Sequence, residues 1–355
     1  MIKFTTFRAA ALFAVCVCTT STASAQWSIT DLGTLGGSSS YAFDINNQGQ
    51  VVGTSDAATG QRAFMWQSGV MTNLGDLSGG LDYSQAFGIN NAGQVVGESH
   101  ASTGRRAFLW ESGVMTNLGE LPGGANNSSA RGINDAGQVV GVSGAATGQR
   151  AFLLQNGVMT NLGDLTGGTD YSLARRVNNS GQVVGTSGAA TGERAFMWQN
   201  GVMTALGGLA AQGTASHAND INNAGQVVGY SFTATGARAF MWQNGATTDL
   251  GDGLANGINN AGLVVGQDAG SQAFMWQNGT TTVLNTVAGV DGTGWDLVEA
   301  QAVNDLGQIV GYAVKDGEIH GFMLTPVPEP EVYLMMGVGV CLAGAIARRR
   351  KQISQ

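Results

Sequence analysis

The segment INNAGQVVG, residues 89–97, decides the fold of this chain because close copies of it recur along the sequence. The copies begin at Ile45, Ile89, Ile133, Val177, Ile221, Ile258 and Val303. The spacings between them are 44, 44, 44, 44, 37 and 45 residues. Self-similarity at such a period is typical of repeat architectures, in which every copy folds into the same small group of elements.

Two further fragments repeat with the same period. Copies of a fragment close to RAFMWQNG begin at Arg62, Arg106, Arg150, Arg194 and Arg238, with degraded copies at Gln272 and His320. Copies of VMTNLGDL begin at Val70, Val114 and Val158, with weaker ones at Val202, Ala246 and Thr280. Each repeat therefore contains several short segments separated by polar, glycine-containing junctions, which is the pattern of strands and turns.

The first repeat predicts four short strands. They cover residues 41–46, 50–55, 62–67 and 70–75. Asn47-Gln48-Gly49 and Ser68-Gly69 are predicted to form tight turns, because Asn and Gly tolerate a positive φ. Phe64 and Trp66 share one face of the third strand, and Ala63 and Met65 share the other. Since both faces are apolar, each sheet must be covered on both sides.

Four antiparallel strands per 37–45 residues, apolar on both faces, predict the blade of a β-propeller. Seven blades lie within the usual range of about four to eight. A β-solenoid is the alternative, although its coils are shorter. The N-terminal segment Ser28–Gly37 resembles an isolated fourth strand, and the chain's last repeat ends after its third strand, His320–Pro326. We therefore expect an all-β, seven-bladed propeller over residues 26–326, closed by the N-terminal strand.

The N-terminus has the order of features typical of a secretory signal. Lys3 and Arg8 precede a short apolar run, and the small residues Ala23 and Ala25 frame a cleavage site for signal peptidase. Residues 1–25 are therefore predicted to be removed during export.

The C-terminal residues 327–355 combine three features. The motif consists of Val327, Pro328, Glu329 and Pro330; an apolar run over residues 332–347 follows, and then the basic cluster 348–351, which includes Arg348, Arg349 and Arg350. The apolar run is slightly shorter than the roughly 17–25 residues of most membrane-spanning helices. The basic cluster predicts a cytoplasmic end, so the repeats would lie on the other side of the membrane.

These three features, in this order, resemble the PEP-CTERM sorting signal. The resemblance implies recognition by an exosortase, transient anchoring in the inner membrane of a Gram-negative bacterium, and delivery to the cell surface or the medium. Carriers of this signal occur in bacteria that make exopolysaccharide. The repeats over residues 27–326 resemble the HAF family of extracellular repeats, with RAF, QAF or HGF in place of the His-Ala-Phe triplet. That family has no established activity.

The charge and cysteine content exclude several functions. Residues 27–327 contain 10 basic and 22 acidic residues, a difference of −12, which argues against binding to nucleic acid phosphates. The cysteines, Cys16, Cys18 and Cys341, all lie outside the repeats. The repeats therefore have no disulfide, no cysteine-ligated metal and no cysteine nucleophile.

No catalytic, cofactor-binding or metal-binding residue is predicted. The sequence has no G-x-S-x-G or HExxH motif, and the histidines His100, His217 and His320 occupy different repeat positions. Asp44, Asn46 and Gly49 have part of a calcium-loop spacing, but no acidic residue closes the loop. A hairpin turn is therefore the favoured interpretation.

Two groups remain as candidates for binding. The arginines that open the third strands could bind anionic sugars, but pairing with Asp76, Glu120 and Asp164 is favoured. The long connection over residues 285–301 departs from the repeat and contains Asp291, Trp295 and Asp296. These three residues are the predicted ligand-binding position on the face that carries the long loops.

The sequence favours a non-enzymatic binding or matrix protein associated with exopolysaccharide or biofilm. The alternative is an exported hydrolase or lyase that acts on a polysaccharide. A deep central pocket with converging carboxylates would favour the enzyme, and a regular neutral funnel would favour the binding protein.

Overall fold

The computed structural model describes residues 26–209 and 215–327, which form an all-β structure with one short 3-10 helix. The predicted signal peptide and the predicted membrane segment lie outside these residues. Over the described ranges, no helix has the length and apolar character needed to cross a membrane.

Antiparallel pairing divides the described strands into seven groups of four, called units 1 to 7 here. Unit 1 contains β2 (Gly36–Ile45), β3 (Val51–Ala57), β4 (Gln61–Gln67) and β5 (Val70–Asn73). Unit 2 contains β6 (Gly79–Ile89), β7 (Val95–Ala101), β8 (Gly104–Glu111) and β9 (Val114–Asn117). Unit 3 contains β10 (Ser128–Ile133), β11 (Val139–Gly144), β12 (Gln149–Gln155) and β13 (Val158–Asn161). Unit 4 contains β14 (Ser172–Val177), β15 (Val183–Ala189), β16 (Gly192–Gln199) and β17 (Val202–Ala205).

Units 5 and 6 share one long strand, and unit 7 includes the first strand of the described chain. Unit 5 contains β18 (Ser216–Ile221), β19 (Val227–Thr233), β20 (Gly236–Gln243) and the first half of β21 (Ala246–Ile258). Unit 6 contains the second half of β21, β22 (Val264–Asp268), β23 (Ala273–Gln277) and β24 (Thr280–Val283). The 3-10 helix Leu284–Thr286 follows. Unit 7 contains β25 (Asp296–Val303), β26 (Ile309–Lys315), β27 (Glu318–Val327) and β1 (Gln26–Asp31).

The strands occupy the positions expected from the repeats, but some of their ends differ. The predicted N-terminal strand over residues 28–37 is wrong at its end, because β1 stops at Asp31 and Gly36 already belongs to β2. Asp31 Oδ1 accepts a hydrogen bond from the Gly33 amide, and Gly33 turns the chain with a φ of 72°. The fourth strand of unit 1 likewise ends at Asn73 rather than residue 75. The short spacing of 37 residues removes a connecting loop and leaves β21 continuous.

The predicted hairpin turn after the first strand of each unit is confirmed. In unit 1, Asn46 Oδ1 accepts hydrogen bonds from the backbone amides of Gln48 and Gln50. Gly49 has a φ of 72° and donates its amide to the Asn46 carbonyl. The asparagine oxygen thus satisfies two backbone donors that the tight turn leaves without strand partners.

The turn asparagines also join neighbouring units in a ring of hydrogen bonds. Asn46 Nδ2 donates to the Asn90 carbonyl at 3.0 Å, and Asn90 Nδ2 donates to the Asn134 carbonyl at 3.1 Å. The series continues through Asn178, Asn222, Asn259 and Asn304. Asn304 Nδ2 then donates to the Asn46 carbonyl at 3.0 Å, so the series returns to its first member.

A second ring runs through the next residue of each turn. The Asn47 amide donates to Asn91 Oδ1 at 3.0 Å, and equivalent bonds connect the later turns. The Asp305 amide donates to Asn47 Oδ1 at 2.9 Å and completes this ring. Two sets of cross-unit hydrogen bonds therefore hold the turns around one axis.

Apolar side chains fill the space between consecutive units. Phe64 and Trp66 pack towards unit 7, whereas Ala63 and Met65 pack towards unit 2, as predicted from their alternation. The core between units 7 and 1 includes Val310 with Phe64, so the first and last units are packed together. Hydrogen bonding and apolar burial therefore agree on which units are neighbours.

Each first strand contains a β-bulge just before its tight turn. In unit 2 the register shifts between Ala86 and Gly88, which leaves Phe87 as the extra residue. The opposing residue is Gly97, where a Cβ atom would lie 1.9 Å from the Gln85 carbonyl oxygen. The glycine of the VVG motif is thus required by the close approach of the bulged strand.

Substitution of one ring asparagine should destabilise the whole domain. We expect Asn134→Ala to lower the free energy of unfolding by about 2–3 kcal/mol, because it removes the buried bond to the Asn178 carbonyl and leaves two partly buried backbone amides without their acceptor. The exposed Asn223→Ala is the matched control and should cost below about 1.5 kcal/mol. Urea denaturation of both variants measures this difference. Equal losses would contradict the role assigned to the ring of hydrogen bonds through Asn46, Asn90 and Asn134.

Candidate functional site

The bulged residues of the seven first strands surround a cavity of about 310 Å³ on the axis of the rings. A bulge places two residues opposite one, so it redirects a side chain that regular pairing would place elsewhere. The bulged residues are Phe43, Phe87, Arg131, Arg175, Asn219, Asn256 and Gln301. Tyr230, Glu299 and Arg176 complete the lining.

The chemistry of the cavity wall changes from one unit to the next. Units 1 and 2 contribute the aromatic pair Phe43 and Phe87, whose ring centroids lie 5.7 Å apart. Units 3 and 4 contribute guanidinium groups, and units 5 to 7 contribute mostly amide groups and one carboxylate. A regular scaffold therefore encloses an irregular site with an apolar, a cationic and a hydrogen-bonding part.

Arg131 is held at the boundary between the aromatic and cationic parts. Its guanidinium lies 4.0 Å from the centre of the Phe87 ring, a cation–π distance. Its Nη2 lies 3.6 Å from Glu98 Oε2, whose side chain is 3% exposed. Arg105 pairs with the other Glu98 oxygen at 3.3 Å. Glu98 is therefore engaged by two arginines and holds Arg131 in position.

Arg175 is the cation of this cavity that lacks an ion pair among residues 26–209 and 215–327. The Nε atoms of Arg175 and Arg131 are buried without a hydrogen-bond partner in this part of the chain. Burial lowers the pKa of Arg175, and the neighbouring Arg176 lowers it further. An arginine remains charged at neutral pH despite such a shift. The site therefore contains a half-buried positive charge that an anion would stabilise.

Glu299 supplies the carboxylate on the side of unit 7. Its Oε1 accepts a hydrogen bond from Asn256 Nδ2 at 2.8 Å, and its Oε2 accepts one from the Tyr312 hydroxyl at 2.5 Å. Burial and the Glu299 charge raise the pKa of Tyr312, so the phenol remains a donor. Glu299 has lone pairs left for donors from a ligand.

An aromatic and imidazole cluster supports the wall beside Arg175. His217 stacks on Tyr230 with centroids 4.7 Å apart, and His217 Nδ1 lies 3.1 Å from Thr186 Oγ1. Its Nε2 lies 3.6 Å from Glu193. Burial lowers the pKa of His217 below its usual value. The ring is thus fixed by contacts on several sides and orients Tyr230 towards the cavity.

Two half-buried carboxylates, those of Asp44 and Asp220, and Arg176 lie near the hydrogen-bonded turns of the seven units. Asp44 accepts the backbone amides of Ile45 and Ile89, and Asp220 accepts those of Ile221 and Ile258. Arg176 Nε lies 3.9 Å from Asp220 Oδ1, and Arg176 Nη1 donates to the Arg131 carbonyl. Asp44 therefore serves the hydrogen bonding of the turn region, which agrees with the hairpin interpretation of its motif.

Acidic residues pair with Arg62, Arg106, Arg150 and Arg238, as predicted for the arginines that open the third strands. Arg62 lies 3.7 Å from Asp76, Arg106 lies 3.5 Å from Glu120, and Arg150 lies 4.0 Å from Asp164. Other partners were not predicted: Asp82 at the start of β6, and Asn126 and Asp170 in the connections that precede β10 and β14. Arg238 pairs with Asp249 and Asp252. These arginines lie apart from the cavity lining.

The predicted ligand-binding residues of the long connection lie outside the cavity. Asp291 and Asp296 are exposed, and Asn285 Nδ2 donates to Asp296 Oδ1 at 3.2 Å. Trp295 is half-buried and packs against the core of units 6 and 7. Lys315 Nζ lies 4.8 Å from its ring centre. Since Trp295 already has partners on the protein, its role in binding stays a prediction.

Sequence reasoning missed the residues that line the cavity. The signal was present, because the bulged position varies among Phe, Arg, Asn and Gln while the residue before it is Ala in every copy. The direction in which the bulged side chain points was not predictable, since alternation along a strand assigns side chains to faces only when the register is continuous. The bulge breaks that continuity and directs the variable side chain towards the axis.

Comparisons with known proteins agree with the interpretation of the C-terminus. Residues 326–351 match the family described as the PEP-CTERM protein-sorting motif. This motif indicates export and membrane-anchored sorting in Gram-negative bacteria, and it is a substrate signal for an exosortase. A comparison with curated proteins gave no match.

Solved structures resemble the chain only distantly. TolB from Acinetobacter baumannii has 10% identity and a TM-score of 0.46 over 84% of this chain, which spans 65% of TolB. A protein proposed to be a gluconolactonase has 10% identity, with 85% and 94% of the two chains covered and a TM-score of 0.34. A Thermus thermophilus protein proposed to be an oxidoreductase (glucose dehydrogenase) has 12% identity, with 84% and 99% covered and a TM-score of 0.40. None of these values supports an argument about function.

Asp220 should make stability depend on pH. Burial raises its pKa from 3.8 to about 6, so the folded state binds a proton more tightly than the unfolded state. The associated stability is complete below about pH 4 and is lost as the pH rises through about 6. Asp220→Asn lacks this loss, so its stability relative to wild type should improve by roughly 2 kcal/mol between pH 4 and 7. Urea denaturation across this range measures the difference, and parallel pH profiles would contradict it.

Proposed function

We propose that this chain is an exported, non-enzymatic binding protein of the bacterial surface, whose central cavity binds an anionic part of an exopolysaccharide. The repeat domain would be a seven-bladed β-propeller of HAF-type repeats, with units 1 to 7 as its blades. The observation that carries the binding function is the Arg175 guanidinium, which lines the cavity without an ion pair in the described chain.

The two rings of hydrogen bonds and the contact between the two ends of the described chain support the propeller. Asn304 bonds back to Asn46, and β1 pairs with β27 over residues 26–31. The N-terminal strand then supplies the missing fourth strand of the last blade. A solenoid gives no reason for its first and last repeats to bond and pack together.

The charge of the cavity supports an anionic ligand. Residues 27–327 have a charge difference of −12, yet Arg131, Arg175 and Arg176 meet at this one position. Glu98 offsets the charge of Arg131, and Asp220 offsets that of Arg176. Arg175 interacts with the more distant Glu193 carboxylate but forms no ion pair in the described chain. A guanidinium forms paired, charge-assisted hydrogen bonds with carboxylates, so Arg175 is the group available to an anion.

The cavity differs from both arrangements expected from the sequence. It is neither the regular neutral funnel expected of a binding protein nor the pocket of converging carboxylates expected of an enzyme. A glycoside hydrolase needs two carboxyl groups about 5–10 Å apart at the scissile bond. Among the described lining residues of the 310 Å³ cavity, Glu299 is the carboxylate, and Tyr312 and Asn256 already engage it. This composition supports binding over hydrolysis.

The sorting motif supports the location. Residues 326–351 indicate membrane-anchored sorting by an exosortase, and delivery to the surface would place the cavity among secreted polymers. Under this proposal, signal peptidase removes residues 1–25, and the segment 332–347 anchors the protein in the membrane until sorting.

Equilibrium binding of the exported protein to the producer's acidic exopolysaccharide tests the proposal. Arg175→Gln should weaken binding at least tenfold at physiological salt, because a charge-assisted hydrogen bond contributes about 1.5–3 kcal/mol. Arg238→Gln removes the same charge from an arginine that pairs with Asp249 and Asp252, and it should leave binding unchanged. This control separates the cavity from general electrostatic attraction.

Two other outcomes would reject the proposal. If Arg175→Gln binds normally and Trp295→Ala does not, the ligand lies on the long connection near Asp291 and Asp296. If incubation releases new reducing ends, or unsaturated sugars that absorb in the ultraviolet, the protein is a hydrolase or a lyase.

A further inference from the structure

We infer that the cavity selects one uronic acid residue, with the sugar carboxylate at Arg131 and Arg175 and the sugar hydroxyls at Glu299. This inference rests on the proposed binding function and names the chemical class of the ligand. It follows from four properties of the wall: the geometry of the cations, the aromatic pair, the position of the carboxylate, and the size of the cavity.

The two bulged arginines come from adjacent units, 3 and 4. Both arginines line the cavity. The Nε atom of each is buried without a partner, and neither guanidinium donates a hydrogen bond within the described chain, so the terminal Nη groups are the donors left for a ligand. Phe87 and Glu98 fix the plane of Arg131. Rigid planar donors of this kind suit the two coplanar oxygens of a carboxylate.

The aromatic pair offers an apolar surface next to the cations. Phe43 and Phe87 are half-buried, and their rings are inclined at 31° to each other. A pyranose ring has one face rich in C–H groups, and this face buries apolar area when it packs on an aromatic ring. An inorganic anion has no such face and would bury no apolar area on these rings.

Glu299 lies across the axis from the arginines, since unit 7 precedes unit 1 in the ring and units 3 and 4 lie opposite. Each of the two Glu299 oxygens accepts one hydrogen bond from the protein. An ionised carboxylate has about four acceptor positions, so about two remain. The remaining positions accept sugar hydroxyls. The same charge repels an anionic group, so a ligand with one anionic end is favoured over one charged at both ends.

The size of the cavity favours a single residue. Its volume of about 310 Å³ lies at the lower end of the roughly 300–1,000 Å³ that small-molecule sites occupy. A long internal segment of a polymer would not fit within this volume. The ligand is therefore a free uronic acid or the terminal uronic acid of a chain.

Titration calorimetry of the exported protein with glucuronate, galacturonate, glucose, galactose and inorganic phosphate tests this inference. We expect at least one of the uronates to bind at least tenfold more tightly than the matching neutral sugar and than phosphate. Arg175→Gln should abolish the preference for the acid. Arg175→Lys, which keeps the charge but loses the planar fork, should reduce the preference several-fold in a protein that folds normally.

Glu299→Gln and Arg238→Gln complete the design. Glu299→Gln should weaken the neutral sugars, because it removes an ionised acceptor for their hydroxyls. The preference for the acid should persist or increase, because the variant also loses a negative charge. Arg238→Gln should change nothing. Phosphate binding as tight as uronate binding, or equal binding of acid and neutral sugar, would overturn the inference. In that event, Arg175-dependent binding of the exopolysaccharide would still support the proposed function, whereas loss of both would reject it as well.

Discussion

The side-chain amide of the turn asparagine is the group on which the rest of the structure depends. In unit 3, Asn134 Oδ1 accepts two amides of its own turn, and its Nδ2 donates to Gln138 and to the Asn178 carbonyl of the next unit. A buried amide that has all its partners specifies one geometry, because any displacement leaves polar groups unpaired. The local turn and the contact between units are thus formed by one residue, and its repetition brings the last unit back to the first.

This arrangement explains why the cavity can vary while the scaffold does not. The asparagine ring holds the ends of the first strands near the axis, and the bulge just before each turn directs one side chain inward. Gly141, opposite the bulge in unit 3, is required because a Cβ there would lie 2.0 Å from the Ser129 carbonyl. The inward side chain has no such requirement. Arg131 and Asn219 occupy equivalent positions without any change in strand pairing.

Much of the fold followed from the sequence because the repeat supplies the same information many times. The alternation of Phe64 and Trp66 with Ala63 and Met65 gave the correct faces, and the pairing of Arg62 with Asp76 was also correct. The cavity was not predicted, since a bulge is a property of strand register rather than of residue type. The long connection around Trp295 attracted attention as an irregular segment, yet Trp295 packs on the core. A departure from the repeat looks the same in the sequence whether it falls in a loop or at a bulge. In the structure, the bulged side chains line the cavity, whereas Trp295 packs on the core.

Hydrogen exchange in a variant that lacks residues 26–31 tests ring closure most directly. The comparison is between this variant and the mature protein, and the informative amides are those of β11 and β12 in unit 3, far from the contact between the two ends of the described chain. If the units form a closed ring, loss of β1 opens unit 7, weakens its contact with unit 1 and lowers the stability of all units together. Exchange in β11 and β12 should then accelerate, and the thermal midpoint should fall. Unchanged exchange in unit 3, with faster exchange confined to β25–β27, would contradict closure and indicate an open array of repeats.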